Sequence, residues 1–143
     1  MKKERLGAWF WFMADERKPL KKDQGGKWIF NFTGHDQEFA ISICEKAIKE
    51  GVCQECKCAD LENTTGNPIF CFYVNGDDIE GHKRLISFAL KNDLVRRKAS
   101  GALYNESFKF NSQTQALEYG AGFTAKIRLA DFIDLNTGEW INE

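Results

Sequence analysis

The sequence predicts an α+β protein, with a mostly antiparallel sheet and two main helices packed on one face of that sheet. Twelve Phe, four Trp and three Tyr in 143 residues favour strands, because aromatic side chains fit a pleated, half-buried surface. Two longer segments repeat apolar residues every three or four positions, which indicates amphipathic helices. The length and the 43% hydrophobic content are typical of a single domain with one core, spanning residues 1–143.

The N-terminal third predicts two strands and a helix. Residues 7–14 are strongly β-prone and too short for an independent helix, so we expect a strand buried on both faces. After a polar loop, a second strand is predicted at 27–33. Its side chains alternate, so that apolar aromatic residues take one face of the strand and the residues between them take the other. The first helix begins near Thr33 or Asp36, because either side chain is able to cap free N–H groups, and it ends at Gly51.

The rest of the chain predicts more strands around a second helix. A short strand at 53–59 is followed by a longer one at Ile69–Asn75. An aspartate caps the second helix, at about 78–92. Three strands separated by turns, one of them a polar connection at 111–120, complete the chain: 102–110, 122–133 and 139–142. The order β-β-α-β-β-α-β-β-β indicates a mostly antiparallel sheet with the helices on one face.

Charge and composition restrict the partners and the compartment. A net charge of −1 argues against general binding of extended nucleic acid, which needs a basic domain. No apolar segment approaches the roughly 20 residues of a membrane span, and the N-terminus has no signal-peptide pattern. Five cysteines, an odd number without obvious pairing, are best explained as reduced thiols. We therefore expect a cytoplasmic protein without a membrane partner.

Cysteine and histidine positions give little support for a metal, a cofactor or a catalytic triad. Cys53, Cys56 and Cys58 fall in a predicted strand, which would place Cys53 on the opposite face from the other two, so we expect buried free thiols and no metal. His35 lies at a predicted helix N-terminus, and His82 is expected on the flank of the second helix. No phosphate-loop, dinucleotide or zinc-protease motif occurs, and no cofactor is predicted.

Alternation along the strands predicts cations on the face opposite the buried aromatics. In the strand at 27–33, Trp28 points to one face and Lys27 to the other. The same reasoning gives a set of candidate phosphate-binding cations: Lys27, Lys57, Lys109, Lys126 and Arg128. Trp9, Trp11 or Phe10 of the first strand is then expected to stack on a base. The alternative is that these cations are ordinary solvent-facing residues of an exposed sheet face.

Several short motifs occur in the order found in a poorly characterised protein family. In chain order they are Gly26-Lys27-Trp28-Ile29, the helix end Glu50-Gly51, Lys57 near a strand end, Ile69-Phe70-Cys71-Phe72-Tyr73-Val74 with Asp77-Asp78 after it, Phe108-Lys109, Thr114 and Tyr119-Gly120. Over about residues 7–130 the chain thus resembles the family whose animal member is called basophilic leukaemia-expressed protein. The chain departs from that family at Asn111-Ser112, where an acidic residue usually follows the Lys segment.

The resemblance implies a fold similar to that of the eukaryotic cap-binding translation initiation factor: a curved antiparallel sheet with helices on its convex side. Some bacterial relatives carry a phosphothreonine-lyase label. Such a lyase needs a Lys base, a His acid and Arg phosphate contacts. The resemblance implies that the base and the phosphate contacts would come from Lys27, Lys109 and Arg128, but the chain offers no convincing histidine as the acid.

Three functions follow as hypotheses. The leading one is a module that binds a phosphate-bearing ligand, a nucleotide or an RNA end, on the concave, open face of the sheet. The second is an enzyme acting on phosphorylated substrates, such as a phosphothreonine lyase. The third is a protein-interaction domain that uses the sheet edge or an exposed aromatic face.

Overall fold

Seven antiparallel strands form an open sheet in this computed structural model, which describes residues 1–115 and 124–141. The strands are β1 (Lys2–Leu6), β2 (Trp9–Met13), β3 (Gly25–Asn31), β4 (Glu55–Ala59), β5 (Ile69–Asn75), β6 (Ser107–Phe110) and β7 (Ile127–Arg128). Their order across the sheet is β1-β2-β4-β5-β3-β6-β7, so β1 and β7 are the edges and the sheet does not close into a barrel. All pairings are antiparallel.

Three α-helices lie in the described part of the chain: α1 (Gln37–Lys49), α2 (Ile79–Lys91) and the five-residue α3 (Asn111–Gln115). The apolar stripes of α1 and α2 pack against one face of the sheet. A single 3-10 turn, Leu129–Asp131, follows β7. None of the helices in the described ranges has the length and apolar character required to cross a bilayer.

Both long helices begin at an aspartate that caps them. The side chain of Asp36 accepts a hydrogen bond from the Phe39 N–H, and that of Asp78 accepts one from the Gly81 N–H. Each bond satisfies an N–H group that the first turn of a helix leaves unpaired. The predicted capping of both helices is therefore confirmed, as is the strand Ile69–Asn75 with the same ends.

The face of the sheet under α1 and α2, here called the helix side, carries the aromatic core. Its largest fully buried side chains from the strands and their ends are Phe12, Trp28, Phe30, Phe32, Phe70, Phe72 and Phe108. The Phe72 and Phe88 rings meet edge to face at 6.0 Å, which joins β5 to α2. This matches the predicted layering, in which Trp28 anchors the core beneath the helices.

Trp28 and His82 form a buried polar contact between the sheet and α2. The Trp28 Nε1–H donates to His82 Nδ1 at 2.9 Å, so the proton of the neutral ring lies on Nε2 and is donated to the carbonyl of Gly76, also at 2.9 Å. His82 is fully buried, and burial lowers its pKa. The prediction that His82 lies on the flank of its helix is wrong, because its ring satisfies the only polar atom of the Trp28 side chain.

A glycine is required where β3 pairs with β6. A Cβ atom on Gly26 would lie 2.4 Å from the Phe108 ring and 2.7 Å from the carbonyl oxygen of Lys109. Both distances are far shorter than van der Waals contact, so any side chain at this position would push the strands apart.

Several boundaries differ from the sequence-based expectations. The edge strand β1 was not expected, and all five of its residues are exposed. The strand at 102–110 reduces to β6 with an isolated bridge between Arg97 and Leu103, and the described part of 122–133 holds only the two-residue β7 before a 3-10 turn. The expected polar connection at 111–120 begins as α3. Residues 116–123 and Asn142, where parts of these predictions fall, lie outside the described residues.

Smaller differences concern β2, β3 and the C-terminal strand. β2 is buried on both faces only at its end, where Phe12 and Met13 are 2% and 8% exposed. β3 begins two residues before the predicted position. The expected last strand is represented by one bridge, between Ile133 and Trp140.

The cysteines are free and buried, as predicted. Cys53, however, was expected on the face opposite Cys56, and this expectation is wrong. Cys53 precedes β4, so strand alternation does not apply to it, and it joins Cys56 in the helix-side core. Cys71 is the thiol that faces the opposite side, since it pairs with Lys57 of β4. Among the described residues, no group of three or more His, Cys, Asp or Glu side chains has metal-binding geometry.

Candidate functional site

The face of the sheet turned away from α1 and α2, here called the open face, collects basic and aromatic side chains from neighbouring strands. Trp11 of β2 pairs with Lys57 of β4, and Lys57 pairs in turn with Cys71 of β5. Residues directly opposite each other in antiparallel strands share a face of the sheet. The register therefore places these three side chains in one row across the open face.

A second row of the open face crosses β5, β3 and β6. Lys27 of β3 pairs with Tyr73 on one side and with Lys109 on the other. The two rows meet at Tyr73, whose ring stacks on Trp11 with centroids 6.1 Å apart and planes inclined by 16°. Lys57 and Lys27, from two different strands, thus lie beside one aromatic pair, and Lys109 lies on the far side of Lys27.

The ammonium group of Lys57 lies among three aromatic rings, here called the aromatic cluster: Trp9, Trp11 and Tyr73. Its Nζ is 3.8 Å from the Trp9 ring centroid, 4.6 Å from that of Trp11 and 5.9 Å from that of Tyr73. Ring faces carry partial negative charge and attract a cation at these distances. This attraction offsets only part of the free energy that the half-buried ammonium loses with its hydrating water.

Lys27 is more deeply placed, with 9% of its surface exposed. Its Nζ donates to Thr114 Oγ1 at 3.0 Å and to Asn111 Oδ1 at 3.3 Å, both on α3, and it lies 5.9 Å from the Tyr73 ring centroid. α3 thus covers one end of the open face and brings neutral acceptors to the lysine. Lys109 beside it is also 9% exposed.

Burial shifts the ionisation of the open face. It lowers the pKa of Lys27, and the positive charges of Lys57 and Lys109 act in the same direction. Burial also lowers the pKa of Lys57. The pKa of Tyr73 is raised, and that of the Cys71 thiol is raised to about 11, again mainly by burial. Near neutral pH these four side chains are therefore cationic or neutral, while the negative charge of Glu55 acts to raise the pKa values of Lys57 and Tyr73.

Neither Lys27 nor Lys57 forms an ion pair with a carboxylate in the described part of the chain. The contacts of the two ammonium groups are with hydroxyl and amide oxygens and with aromatic rings. Glu55, two residues from Lys57 on β4, is paired with Arg17 instead. The positive charges of Lys27 and Lys57 are thus offset by dipoles and π systems, with no ion-paired carboxylate among the described residues.

The structure brings five of the eight sequence-predicted site residues together: Lys27, Lys57, Lys109, Trp9 and Trp11. Arg128 is exposed on the edge strand β7 and pairs with Ser107, so it shares the open face at the far side of Lys109. Lys126 is exposed, and its Nζ lies 5.7 Å from the ring centroid of Phe110. Phe10 pairs with the core residue Cys58, which puts it on the helix side and separates it from the two tryptophans.

Tyr73, Asn111 and Thr114 belong to the site and were missed as site residues. Alternation along β5 was a sufficient signal for Tyr73, because Phe70, Phe72 and Val74 take the helix side and leave it on the open face. Asn111 and Thr114 had no such signal. Their contact with Lys27 depends on the short helix α3 directly after β6.

No family model, curated protein or solved structure matches this chain. The resemblance to the basophilic leukaemia-expressed family and to the cap-binding initiation factor fold therefore stays a prediction.

Proposed function

We propose that the protein binds a phosphate-bearing ligand, a nucleotide or an RNA end, on the open face of its sheet. One observation carries this proposal: the ammonium groups of the buried Lys27 and the half-buried Lys57 give up hydration without an ion-paired carboxylate in the described chain. Removing a cation from water is costly unless an opposite charge compensates for it. A bound phosphate would supply that charge.

The arrangement of the two lysines suits a phosphate group. They lie on β4 and β3, separated by β5, so their strands are about 10 Å apart at a spacing of about 4.8 Å per strand. Flexible lysine side chains converge across such a distance onto one group of oxygen atoms. Because the rigid sheet already holds both charges nearby, less conformational entropy is lost on binding.

The aromatic cluster gives a nucleotide its second contact. The ammonium group of Lys57 lies over the ring face of Trp9. When Lys57 turns toward a phosphate, ring faces of Trp9 and Trp11 become free to stack on a base. Stacking of one base on an aromatic side chain is worth about 1–3 kcal/mol. We therefore expect nucleotides to bind more tightly than inorganic phosphate.

Thermal melts of the purified chain against a panel of nucleoside mono-, di- and triphosphates test the proposal, since a ligand of the folded state raises the melting temperature. We expect stabilisation of the parent protein that is lost in Lys27→Ala and in Lys109→Ala. Lys49→Ala, which removes an exposed lysine of α1 on the helix side, serves as the charge-matched control. Equal responses of the parent and both open-face variants would refute the proposal.

A second candidate is an enzyme acting on phosphorylated substrates. The lowered pKa of Lys27 favours it, because a lysine that loses its proton more readily is a better general base. A lyase would also need an acid, and neither histidine of the chain faces the open side: His82 is in the core, and His35 stacks on Phe39 of α1. Turnover of phosphopeptides or nucleotides that disappears in Lys27→Ala would support this candidate, whereas binding without turnover would support the first one.

A protein-interaction role has less support. The strongly exposed large apolar side chains of the described residues lie on separate segments: Leu6, Leu61, Ile79, Tyr104 and Ile141. A docking face would be expected to join such residues into one patch.

A further inference from the structure

A polar cavity continues the open face beyond Lys109. It has a volume of about 360 Å³, and the apolar side chains of Ile29 and Ile69 line it. Polar groups complete its wall, among them Asn31, Asn105 and Ser107. Lys109 lies at one end of this cavity, and Arg96 also lines it. The cavity therefore joins the lysines of the candidate site to a second basic region.

The second basic region is built around Tyr104, whose side chain is 40% exposed. The guanidinium carbon of Arg96 lies 4.8 Å from the Tyr104 ring centroid, and Lys98 Nζ lies 6.0 Å from it. Arg96 also donates to Glu106 at 2.9 Å, and Tyr104 donates its backbone N–H to the Arg96 carbonyl. The buried carboxylate of Glu106 thus neutralises part of the charge of Arg96 and helps to hold its guanidinium plane over the ring.

The two basic regions meet the cavity at different residues, since Lys109 and Arg96 both line it and Tyr104 lies beside Arg96. Five residues of sequence separate Lys109 from Tyr104, which allows at most about 16 Å at about 3.3 Å per extended residue, and the hydrogen bond from the Glu106 N–H to the Tyr104 carbonyl shortens this span. A single phosphate on Lys27 and Lys57 leaves Tyr104 and the cavity without a role. A ligand that reaches both regions must repeat its phosphates and its stacking groups.

We propose that the ligand of the open face is the phosphorylated end of a short single-stranded oligonucleotide. This inference rests on the proposed function. The first nucleotide binds with its terminal phosphate at Lys27 and Lys57 and its base on the aromatic cluster. The next sugar and base occupy the cavity, and the base after that reaches the ring of Tyr104. Lys98 and Arg96 attract the phosphates between them. A single strand is required, because the bases of a duplex are stacked on one another and do not present their ring faces.

The chemistry of the path fits this ligand. Amide and hydroxyl side chains of the cavity, those of Asn105 and Ser107, are hydrogen-bonding partners for ribose hydroxyls and base edges. The exposed ring of Tyr104 is a stacking surface of the kind that single-strand binding proteins use. The ligand is short because the chain is not basic as a whole, with a net charge of −1.

Fluorescence anisotropy with uridine ligands tests the length of the ligand. We expect a 5′-phosphorylated trinucleotide to bind at least about tenfold more tightly than uridine 5′-monophosphate, as one additional stacked base predicts. Tyr104→Ala should remove this gain and leave the affinity for the mononucleotide unchanged. Ile79→Ala, which truncates another exposed side chain, on α2, is the matched control and should retain the gain.

The same titrations separate this inference from the proposed function. Equal affinities for the mononucleotide and the trinucleotide, with both lost in Lys27→Ala, would overturn the oligonucleotide ligand and keep phosphate binding. A length-dependent gain that persists in Tyr104→Ala would also overturn it. If neither ligand binds the parent protein, both the proposed function and this inference fail. A trinucleotide without its terminal phosphate should bind more weakly than the phosphorylated form.

Discussion

Replacing Lys27 with methionine should strongly weaken phosphate binding without destabilising the fold. Methionine has a similar length and no charge, so it fills the same space between Tyr73 and Lys109. The variant loses the hydrogen bonds to Thr114 and Asn111, and bonds that involve a charged donor contribute about 1.5–3 kcal/mol. It also removes a buried ammonium group, whose withdrawal from water costs several kcal/mol.

The loss and the gain are of similar size and opposite sign, so we expect the free energy of unfolding to change by no more than about 1 kcal/mol. For a chain of this length that is a change in melting temperature of no more than about 4 °C. The affinity of the variant for phosphate should fall clearly, because the loss of one charge-assisted contact weakens it by about 10- to 100-fold. Differential scanning calorimetry and titration calorimetry measure the two effects, with Lys49→Met as the control.

The reasoning would be refuted if Lys27→Met lowered the free energy of unfolding by more than about 1 kcal/mol, a typical cost of a lost structural hydrogen bond. Lys27 would then be a structural residue that secures α3. Unchanged affinity for nucleotides in a stable variant would be equally damaging, because the ammonium would then have no part in binding.

Three further predictions concern ionisation and packing. Because burial lowers the pKa of His82, the unfolded state takes up the proton first, so the free energy of unfolding should fall as the pH drops below about 6.5, by at most about 1.4 kcal/mol per pH unit. Urea titrations of the parent and of His82→Gln, which is able to accept from Trp28 but does not titrate, should show a shallower pH dependence in the variant. Nucleotide affinity should fall at alkaline pH, below the ordinary lysine pKa of about 10.4, because burial lowers the pKa values of Lys27 and Lys57. Calorimetric titrations across this range should give a flatter profile for Lys27→Arg, and an unchanged profile would count against the assignment. Gly26→Ala should destabilise the fold by about 1–3 kcal/mol, since its Cβ would collide with the Phe108 ring, and a chemical denaturation midpoint equal to that of the parent would contradict this packing.

Local signals predicted much of the fold. Asp36 and Asp78 cap the helices because a short acidic side chain just before a periodic apolar segment is placed to accept a hydrogen bond from a free N–H group of the first turn. β5 was predicted with both ends correct, since its apolar run has clear polar boundaries. In each case the information lies within a few residues of the element itself.

Elements and buried residues that carry no apolar pattern of their own were not predictable in this way. β1 consists of exposed, mostly charged residues, and it is a strand because it pairs with β2 through the turn at Gly7, whose φ is 61°. The buried position of His82 depends on the Trp28 Nε1–H, which belongs to a strand 54 residues away in sequence. Neither segment has an apolar pattern that reveals its partner.

The candidate site was also predictable only in part. Alternation was enough to put Lys27 and Lys57 on one face, because the period of a strand is fixed. Their convergence on Tyr73 required the strand order β4-β5-β3, which the sequence does not specify. Phe10 was grouped with Trp9 and Trp11 although alternation along β2 places it on the opposite face, and its pairing with the core residue Cys58 identifies that face as the helix side.

The most direct test of phosphate binding compares one nucleotide with its nucleoside on the purified protein. Isothermal titration calorimetry should show a 5′-mononucleotide binding at least about tenfold more tightly than the nucleoside, which lacks the phosphate that contacts Lys27 and Lys57. In Lys27→Met this difference should disappear, whereas Lys49→Met should retain it. Equal affinities of the parent protein for the two ligands, or no binding of either, would contradict the account.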